Sequence, residues 1–583
     1  MRIDGGEAVV RSLIRHKVET VYGLPGTHVL GVYEALRNES RIRHVSAMHE
    51  INAAFMADAQ ARLTGLPGVC ILTAGPGATN AVTAIAQAYT DASPVVQITG
   101  HCGNNEKIQP THGVDDWDFL LKIYSLITKW SVQIRRAEDI APILDKAFKL
   151  ASSGRPGPVH VEIPTDVLSS SVKSQDFPIV DSDIHQEIDE APVKEIAQTL
   201  ISSDRPLIAV GKGVLREFCS KDVMELAQAI DAPIVVQDAV SAIPYDFPLY
   251  VGYDWVGWHP QIDSLIKEAD ATITLGLDLR ERLVFSEVKH HRLVHVHSDT
   301  LTNREEELDV SVSRPLVDLV ASVKKTVRLL LKLVPHRRSV QSNAEKRASE
   351  IKRKIRDDVS SCIEWGRKPL HPGEVGAQLR RVLKDNAIVT LDVGDSSWWM
   401  NACFRAREPN TVLVPGRYGS MGFALPAAVA AKLTFPERDV VAVTGDGGFL
   451  MSCMDFPTAV KCKLAIKVII VSNGHYGTIW RLQKNRYGST LATEIQVPDF
   501  AQYTESFGAQ GFSVDDHAKL GKVLEEAISL RGPVIVGVHT NHEFPLYRPG
   551  RLARSILRHR SILASAEWTI ERYRRLQTRN RLD

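Results

Sequence analysis

Two short β-branched runs, each stopping at glycines and polar residues, constrain this chain more than anything else in it. The first is Val440-Val441-Ala442-Val443-Thr444, ending in Gly445-Asp446-Gly447-Gly448; the second is Val468-Ile469-Ile470-Val471, ending in Ser472-Asn473-Gly474-His475-Tyr476-Gly477. Apolar runs of this kind read as parallel strands buried on both faces, and their ends as loops at the carboxyl edge of a sheet, where α/β proteins hold ligands. Residues 451–464 are long enough for a crossover helix, so Asp446 and Asn473 should end neighbouring strands of one βαβ unit. A carboxylate and an amide oxygen then face one crevice. They are too few to hold Mg²⁺ alone, because that ion wants octahedral oxygens and is usually completed by water and a ligand's phosphates. Gly445, Gly447 and Gly448 let backbone N–H groups approach such phosphates at the positive end of the following helix. The pattern predicts a site for Mg²⁺ and a diphosphate; the plainer reading of Gly-Asp-Gly is a tight turn with a solvated Asp.

An internal echo sets the architecture. Val69–Gly100 runs strand, Gly-rich loop (Gly75-Pro76-Gly77), helix, strand (Val95-Val96-Gln97-Ile98), much as Val440–Gly474 does. Two domains of one architecture should therefore flank a third, giving an α/β chain of three doubly wound domains with parallel sheets flanked by helices. The 583 residues suffice for three cores. The balance of 70 basic against 69 acidic residues gives no bulk charge for nucleic acid or a membrane. Seven cysteines without CxxC or zinc spacing predict reduced thiols in a cytoplasmic protein. Asp4 and Glu7 stand where a signal peptide would need apolar residues, and no run is long enough to cross a bilayer.

In the first domain, residues 1–170, Val21-Tyr22-Gly23-Leu24-Pro25-Gly26 is a strand entering a turn. Val45-Ser46-Ala47-Met48-His49-Glu50 precedes a helix rich in small residues, Ala53 to Ala61. A lone Glu in that place is ordinarily a helix N-terminal acid. His49-Glu50, that helix ending Ala61-Arg62, and Gly75-Pro76-Gly77-Ala78-Thr79-Asn80 nevertheless follow in order. Together with Gly445-Asp446-Gly447 and Asn473, they resemble the thiamine diphosphate (ThDP) enzymes of the acetolactate synthase, benzaldehyde lyase and pyruvate oxidase group, over nearly the whole chain.

The resemblance implies that Asp446, Asn473 and the backbone carbonyl of His475 hold Mg²⁺, which anchors the cofactor's diphosphate, with Tyr476 and Gly477 alongside. It implies that Glu50 hydrogen-bonds N1′ of the aminopyrimidine, favouring the imino tautomer that takes the thiazolium C2 proton, with Pro25 and Asn80 nearby. His28 falls where benzaldehyde lyase-like members carry an active-site His and acetolactate synthases a small residue. A helix-capping or surface His is the alternative. The polar loop 101–118, containing His101, Gln109, His112, Asp115 and Asp116, falls where the family places substrate-facing groups, with His112 the weaker proton-transfer candidate.

The third domain, residues 370–545, supplies Asp392-Val393-Gly394-Asp395-Ser396-Ser397, a polar turn suited to phosphate oxygens. In Gly419-Ser420-Met421-Gly422-Phe423, the resemblance makes Met421 the wedge that bends the cofactor, although Met is otherwise a common core filler. Leu482 stands where acetolactate synthases carry a substrate-selecting Trp, which argues against branched-chain amino-acid synthesis.

The central domain, residues 190–335, reads as a further doubly wound unit, in which the family holds FAD, ADP or nothing. Asp278 in place of an Arg and His295-Val296-His297 in place of a paired-Asp pattern do not favour flavin. Residues 336–368 read as a solvated linking helix. The tail, residues 546–583, has ten arginines and apolar residues at helical intervals, and reads as a helix packed on the body or on a neighbouring subunit.

The implied function is a Mg²⁺- and ThDP-dependent 2-oxoacid decarboxylase or carboligase, a homodimer or homotetramer with sites between chains, joining a small 2-oxoacid to a carbonyl acceptor. His28 and the Arg-rich tail suggest a CoA-linked lyase or decarboxylase as the alternative. A catalytically silent binding or regulatory subunit is the alternative of another class.

Overall fold

A computed structural model describes residues 2–103, 112–173, 188–254, 259–278, 292–298, 315–335 and 342–544. Gln109 and the 546–583 tail lie outside these residues. Three six-stranded parallel sheets organise the chain.

The first sheet runs Arg43–Ser46, Thr20–Gly23, Gly68–Leu72, Val95–His101, Val159–Pro164, Trp130–Gln133. The third runs Val412–Leu413, Ile388–Leu391, Val440–Gly445, Ile466–Ser472, Val534–His539, Gln510–Val514. Numbered from its own first strand, each has the order 2-1-3-4-6-5, so the internal echo extends to complete topology. The central sheet has the order 3-2-1-4-5-6, with its switch point between Pro206–Val210 and Ala271–Leu275. Parallel strands covered on both faces explain the continuous Val/Ile runs: every residue of Ile466–Ser472 is buried. A short antiparallel pair, Arg2–Asp4 with Ser171–Lys173, adds to the first domain.

Asp446 and Asn473 do end neighbouring strands, since Val440–Gly445 pairs in register with Ile466–Val471. The crossover between them is broken: helix Asp446–Ser452, a 3₁₀ turn Cys453–Asp455, then helix Phe456–Lys461. Pro457 stands in the first turn of the last helix, where its missing N–H costs nothing.

Helix Glu50–Thr64 has no separate polar face and buries Asn52 and Asp58 along with its alanines, Phe55 and Met56, as a helix enclosed by the protein does. It packs on the equally Ala-rich helix Ala424–Thr434. Alanines let the two backbones approach closely, and the rings of Phe55 and Phe423 meet edge to face at 5.6 Å. One core therefore runs continuously through the first and third domains.

A buried ionic node joins all three. Asp91 accepts from Arg62 at 2.6 Å, from Lys212 of the central domain at 2.9 Å and from the Gly416 N–H of the third at 2.9 Å. Burial pushes the Asp91 carboxyl up, but Lys212 and Arg62 outweigh it and hold the group below the usual carboxylate range.

Helix Asn343–Ser360 departs from a wholly solvated connector. Ala348, Ile351 and Val359 are buried, and Asp358 reaches His259 at 2.8 Å, so one face is anchored to the central domain. All seven cysteines are free thiols, four of them buried. No helix among the described residues is long and apolar enough to cross a membrane.

Candidate active site

The site grows from the carboxyl edge of the third sheet, at the switch between Ile388–Leu391 and Val440–Gly445. Asp446 is 2 % exposed. Its Oδ2 accepts the N–H groups of Asn473 at 2.9 Å and Gly474 at 2.7 Å, and its Oδ1 that of Gly447 at 2.8 Å. The acid thus ties both loops into one oxygen-rich turn. Gly474, at φ +70°, reverses the chain there, and Asn473 Oδ1 accepts from the His475 N–H at 3.0 Å. The carboxylate, the amide oxygen and the nearby backbone carbonyls are hard oxygen donors of the kind Mg²⁺ takes.

Around this turn the backbone is tight where protein meets protein. A Cβ on Gly447 would stand 2.7 Å from the Tyr476 ring, and one on Gly477 2.5 Å from Asp395 Oδ2. It is open at Gly394, where an added Cβ would meet nothing within 4 Å, and at Gly445, where the nearest atom is Ser396 Oγ at 4.0 Å. Ser396 Oγ is buried and has no hydrogen-bond partner. A buried orphan hydroxyl beside an open, glycine-lined helix start fits a phosphate oxygen. Ser397 instead donates to the Gly394 carbonyl at 2.9 Å. Asp395 binds Thr478 Oγ1 at 2.8 Å and pairs with Arg481, so its carboxylate anchors helix Gly477–Tyr487 and has little left for a ligand.

Sequence reasoning passed over Asp392 as part of a polar turn. The residue is fully buried, accepts from Gly422 N–H at 2.9 Å and Ala424 N–H at 3.3 Å, and lies 2.9 Å from where a Gly448 Cβ would sit. It therefore fixes the Met421 loop, whose flanking Gly419 and Gly422 have φ of +68° and +90°. Burial pushes the Asp392 carboxyl up against the pull of these N–H groups. Its position at a strand end, one loop away from Gly-rich sequence, was the available signal. Ser420 Oγ, next to Met421, is a second buried hydroxyl without a partner.

At the corresponding edge of the first sheet, Glu50 opens its helix, with His49 as N-cap. Asn80 Nδ2 donates to Glu50 Oε2 at 2.9 Å, and a Cβ on Gly77 would lie 3.5 Å from Glu50 Oε1. Asn80 and the Gly75–Gly77 loop thus shape the space around the carboxylate. Pro25 is exposed in the neighbouring loop. His28 is buried, with its Nδ1 3.5 Å from Thr73 Oγ1, and its ring centroid is 5.2 Å from that of exposed His112, so the two histidines do meet. His112 has φ +67°, which turns the loop over Gly75.

A group absent from the sequence reading stands near the Asp446–Asn473–Gly474 turn: His542 stacks on His475 at 4.0 Å and meets Trp480 edge-on at 4.5 Å. Exposed Met48, Met451, Met454, Ile479, Leu482 and Tyr487 surround these edges.

Three family descriptions match the chain: "Thiamine pyrophosphate enzyme, N-terminal TPP binding domain" over residues 3–119, "central domain" over 193–330, and "C-terminal TPP binding domain" over 392–538. Among relatives, a "Probable acetolactate synthase large subunit" of Methanocaldococcus jannaschii is 30% identical, covering 94% of each chain. The "Acetolactate synthase" of Bacillus subtilis is 30% identical, over 92% of this chain and 93% of its own. The "Acetolactate synthase isozyme 1 large subunit" of Escherichia coli is also 30% identical, over 94% and 96%. These matches lend no support to the CoA-linked or the silent alternative. The chain belongs to the thiamine pyrophosphate enzymes, in their acetolactate synthase group, and is a ThDP-dependent enzyme of the decarboxylase and carboligase kind.

Proposed function

We propose that the chain binds Mg²⁺ through Asp446, Asn473 and the His475 carbonyl, and uses ThDP to decarboxylate a small 2-oxoacid and pass the acyl carbanion to a carbonyl acceptor. The observation that carries this reading is the joined Asp446–Asn473–Gly474 turn beside the unpartnered Ser396 hydroxyl. The cofactor, when bound, would supply the nucleophilic carbon and the electron sink that decarboxylation of a 2-oxoacid requires.

The chain's own residues do the rest. Gly445, Gly448 and the turn Gly394-Asp395-Ser396-Ser397 receive the diphosphate with backbone N–H groups and the Ser396 hydroxyl, while Gly447, the other glycine of that loop, turns its N–H back to Asp446. Tyr476 and Gly477 close the far side of that cradle. Met421, held by Asp392, packs beneath the cofactor, and Glu50 holds a proton at N1′ of the pyrimidine, with Pro25 and Asn80 framing that end. His28 and His112 move protons at the substrate oxygen. The exposed apolar side chains around both sheet edges support a site completed by a second copy, in a homodimer or homotetramer in which Glu50 of one chain meets Asp446 and Met421 of the other.

The test is ¹³C NMR of products from labelled pyruvate with ThDP, Mg²⁺ and a panel of aldehyde and 2-oxoacid acceptors. Labelled acetolactate or an acyloin is expected, and Asp446→Asn should abolish it. Pyruvate left intact with every acceptor, while a larger 2-oxoacid is also untouched, would overturn the substrate assignment.

A further inference from the structure

The central domain carries a feature the ThDP chemistry does not use. His295 and His297 lie two apart on Arg292–His297 and so share one face, and Asp318 of Val317–Val320 sits directly opposite His295 in the parallel register. The other face of the pair is conventional: Val294, Val296, Val317 and Leu319 belong to the domain's core. On the histidine face, two imidazoles with 1% and 2% exposure stack at 4.3 Å. Their ring nitrogens and the exposed Asp318 carboxylate offer three ligand atoms within 4.8 Å of one another, the only such group of His, Cys, Asp or Glu among the described residues.

The hydrogen bonds dictate which nitrogen is available. Thr274 Oγ1 lies 3.3 Å from the Val294 carbonyl, to which it donates, and 2.5 Å from His295 Nδ1. With its single proton directed at the carbonyl, the hydroxyl accepts from Nδ1–H, which leaves the lone pair on Nε2. That Nε2 is buried and has no partner. His297 Nε2 is 3.0 Å from Asp318 Oδ1, close to the spacing of about 3.3 Å between ligands of a tetrahedral ion with bonds near 2 Å.

We propose that His295, His297 and Asp318 form a binding site for a borderline divalent cation such as Zn²⁺ or Co²⁺, distinct from the all-oxygen Mg²⁺ turn of the third domain. Two imidazoles and one carboxylate select such ions over Mg²⁺ and leave positions for water. Thr274 is a positioning residue, fixing the His295 tautomer in the manner of the outer partners of known metal sites. The ion bridges the last two strands of the central sheet.

The experiment is Co²⁺ titration of the full chain saturated with Mg²⁺ and ThDP, followed by visible absorption. The expected result is one equivalent of Co²⁺ with ligand-field bands. His295→Gln and Asp318→Asn should remove it, and Thr274→Val should weaken it roughly 10–100-fold. Asp318 is exposed, so its variant should fold, and retained ThDP binding checks that. Absence of the bands in the wild type, or their persistence in Asp318→Asn and His295→Gln, would overturn the proposal.

Discussion

Replacing Asp91 by Asn should loosen all three domains at once. The side chain is 2% exposed and receives Arg62, Lys212 and the Gly416 N–H at 2.6, 2.9 and 2.9 Å. Each ion pair has a gross attraction of about 6 kcal/mol at an effective dielectric of 20, most of it offset by desolvation, so the intact node is nearly neutral in net terms. Removing one partner is costly because the others stay buried, typically by about 3–5 kcal/mol. Arg62 keeps Asp58 at 2.8 Å, whereas Lys212, 17% exposed, loses the Asp91 carboxylate. The lower end, about 3 kcal/mol, is therefore expected. Because the folded Asp91 is held below its unfolded value, the node contributes fully above a pH of about 4 and its contribution fades as pH falls below that. Urea unfolding at pH 7 and at pH 3.5, monitored by tryptophan fluorescence and by limited proteolysis between domains, reads both effects. A variant within 1 kcal/mol of wild type at pH 7, with an unchanged proteolysis pattern, would refute the reasoning.

Glu50→Gln should retain ThDP binding by calorimetry while slowing exchange of the cofactor's C2 proton by roughly 10²–10⁴-fold in NMR; unchanged exchange would sink the assigned role. Asp392→Asn turns an acceptor of the Gly422 and Ala424 N–H groups partly into a donor. It should cost about 1–3 kcal/mol of stability and lower kcat more than it raises KM, as steady-state kinetics would show. Glu162 is buried, with Oε1 lacking a partner, and burial pushes it up to about 8. Its folded value lies above its unfolded one, so its contribution is greatest at low pH and declines as pH rises from about 4.5 to 8. Glu162→Gln should remove that decline, and urea midpoints at pH 5.5 and 8.5 that fall equally in both proteins would contradict it.

The sheets were legible because buried parallel strands write themselves as unbroken Val/Ile runs: Val440–Gly445 and Ile466–Ser472 fall where their side chains require. The loops holding Asp446 and Asn473 were legible for the same reason, since strand ends fix their neighbours. What escaped was whatever depends on contacts between distant segments. Asp392 acts through backbone groups 30 residues away, and Asp91 reaches Lys212 and Gly416 across domain limits. Asp395 looked like a phosphate ligand until Arg481 and Thr478 were seen to occupy it. The broken crossover after Asp446 was hidden as well, because continuous apolar periodicity does not distinguish one helix from two.

The seam between Glu50–Thr64 and Ala424–Thr434 has a mechanical meaning. Small side chains leave no slack between the two helices, so Glu50 at the head of one and the Met421 loop leading into the other belong to a single stiff body. In the two-chain arrangement proposed above, those two groups of one chain serve different active sites, and the seam is then a strut between them. Any movement that admits substrate must be taken up elsewhere. Among the described residues, helix Gly477–Tyr487 buries none of its own within the chain, so beyond its tether through Thr478 and Arg481 to Asp395 little packing opposes its yielding.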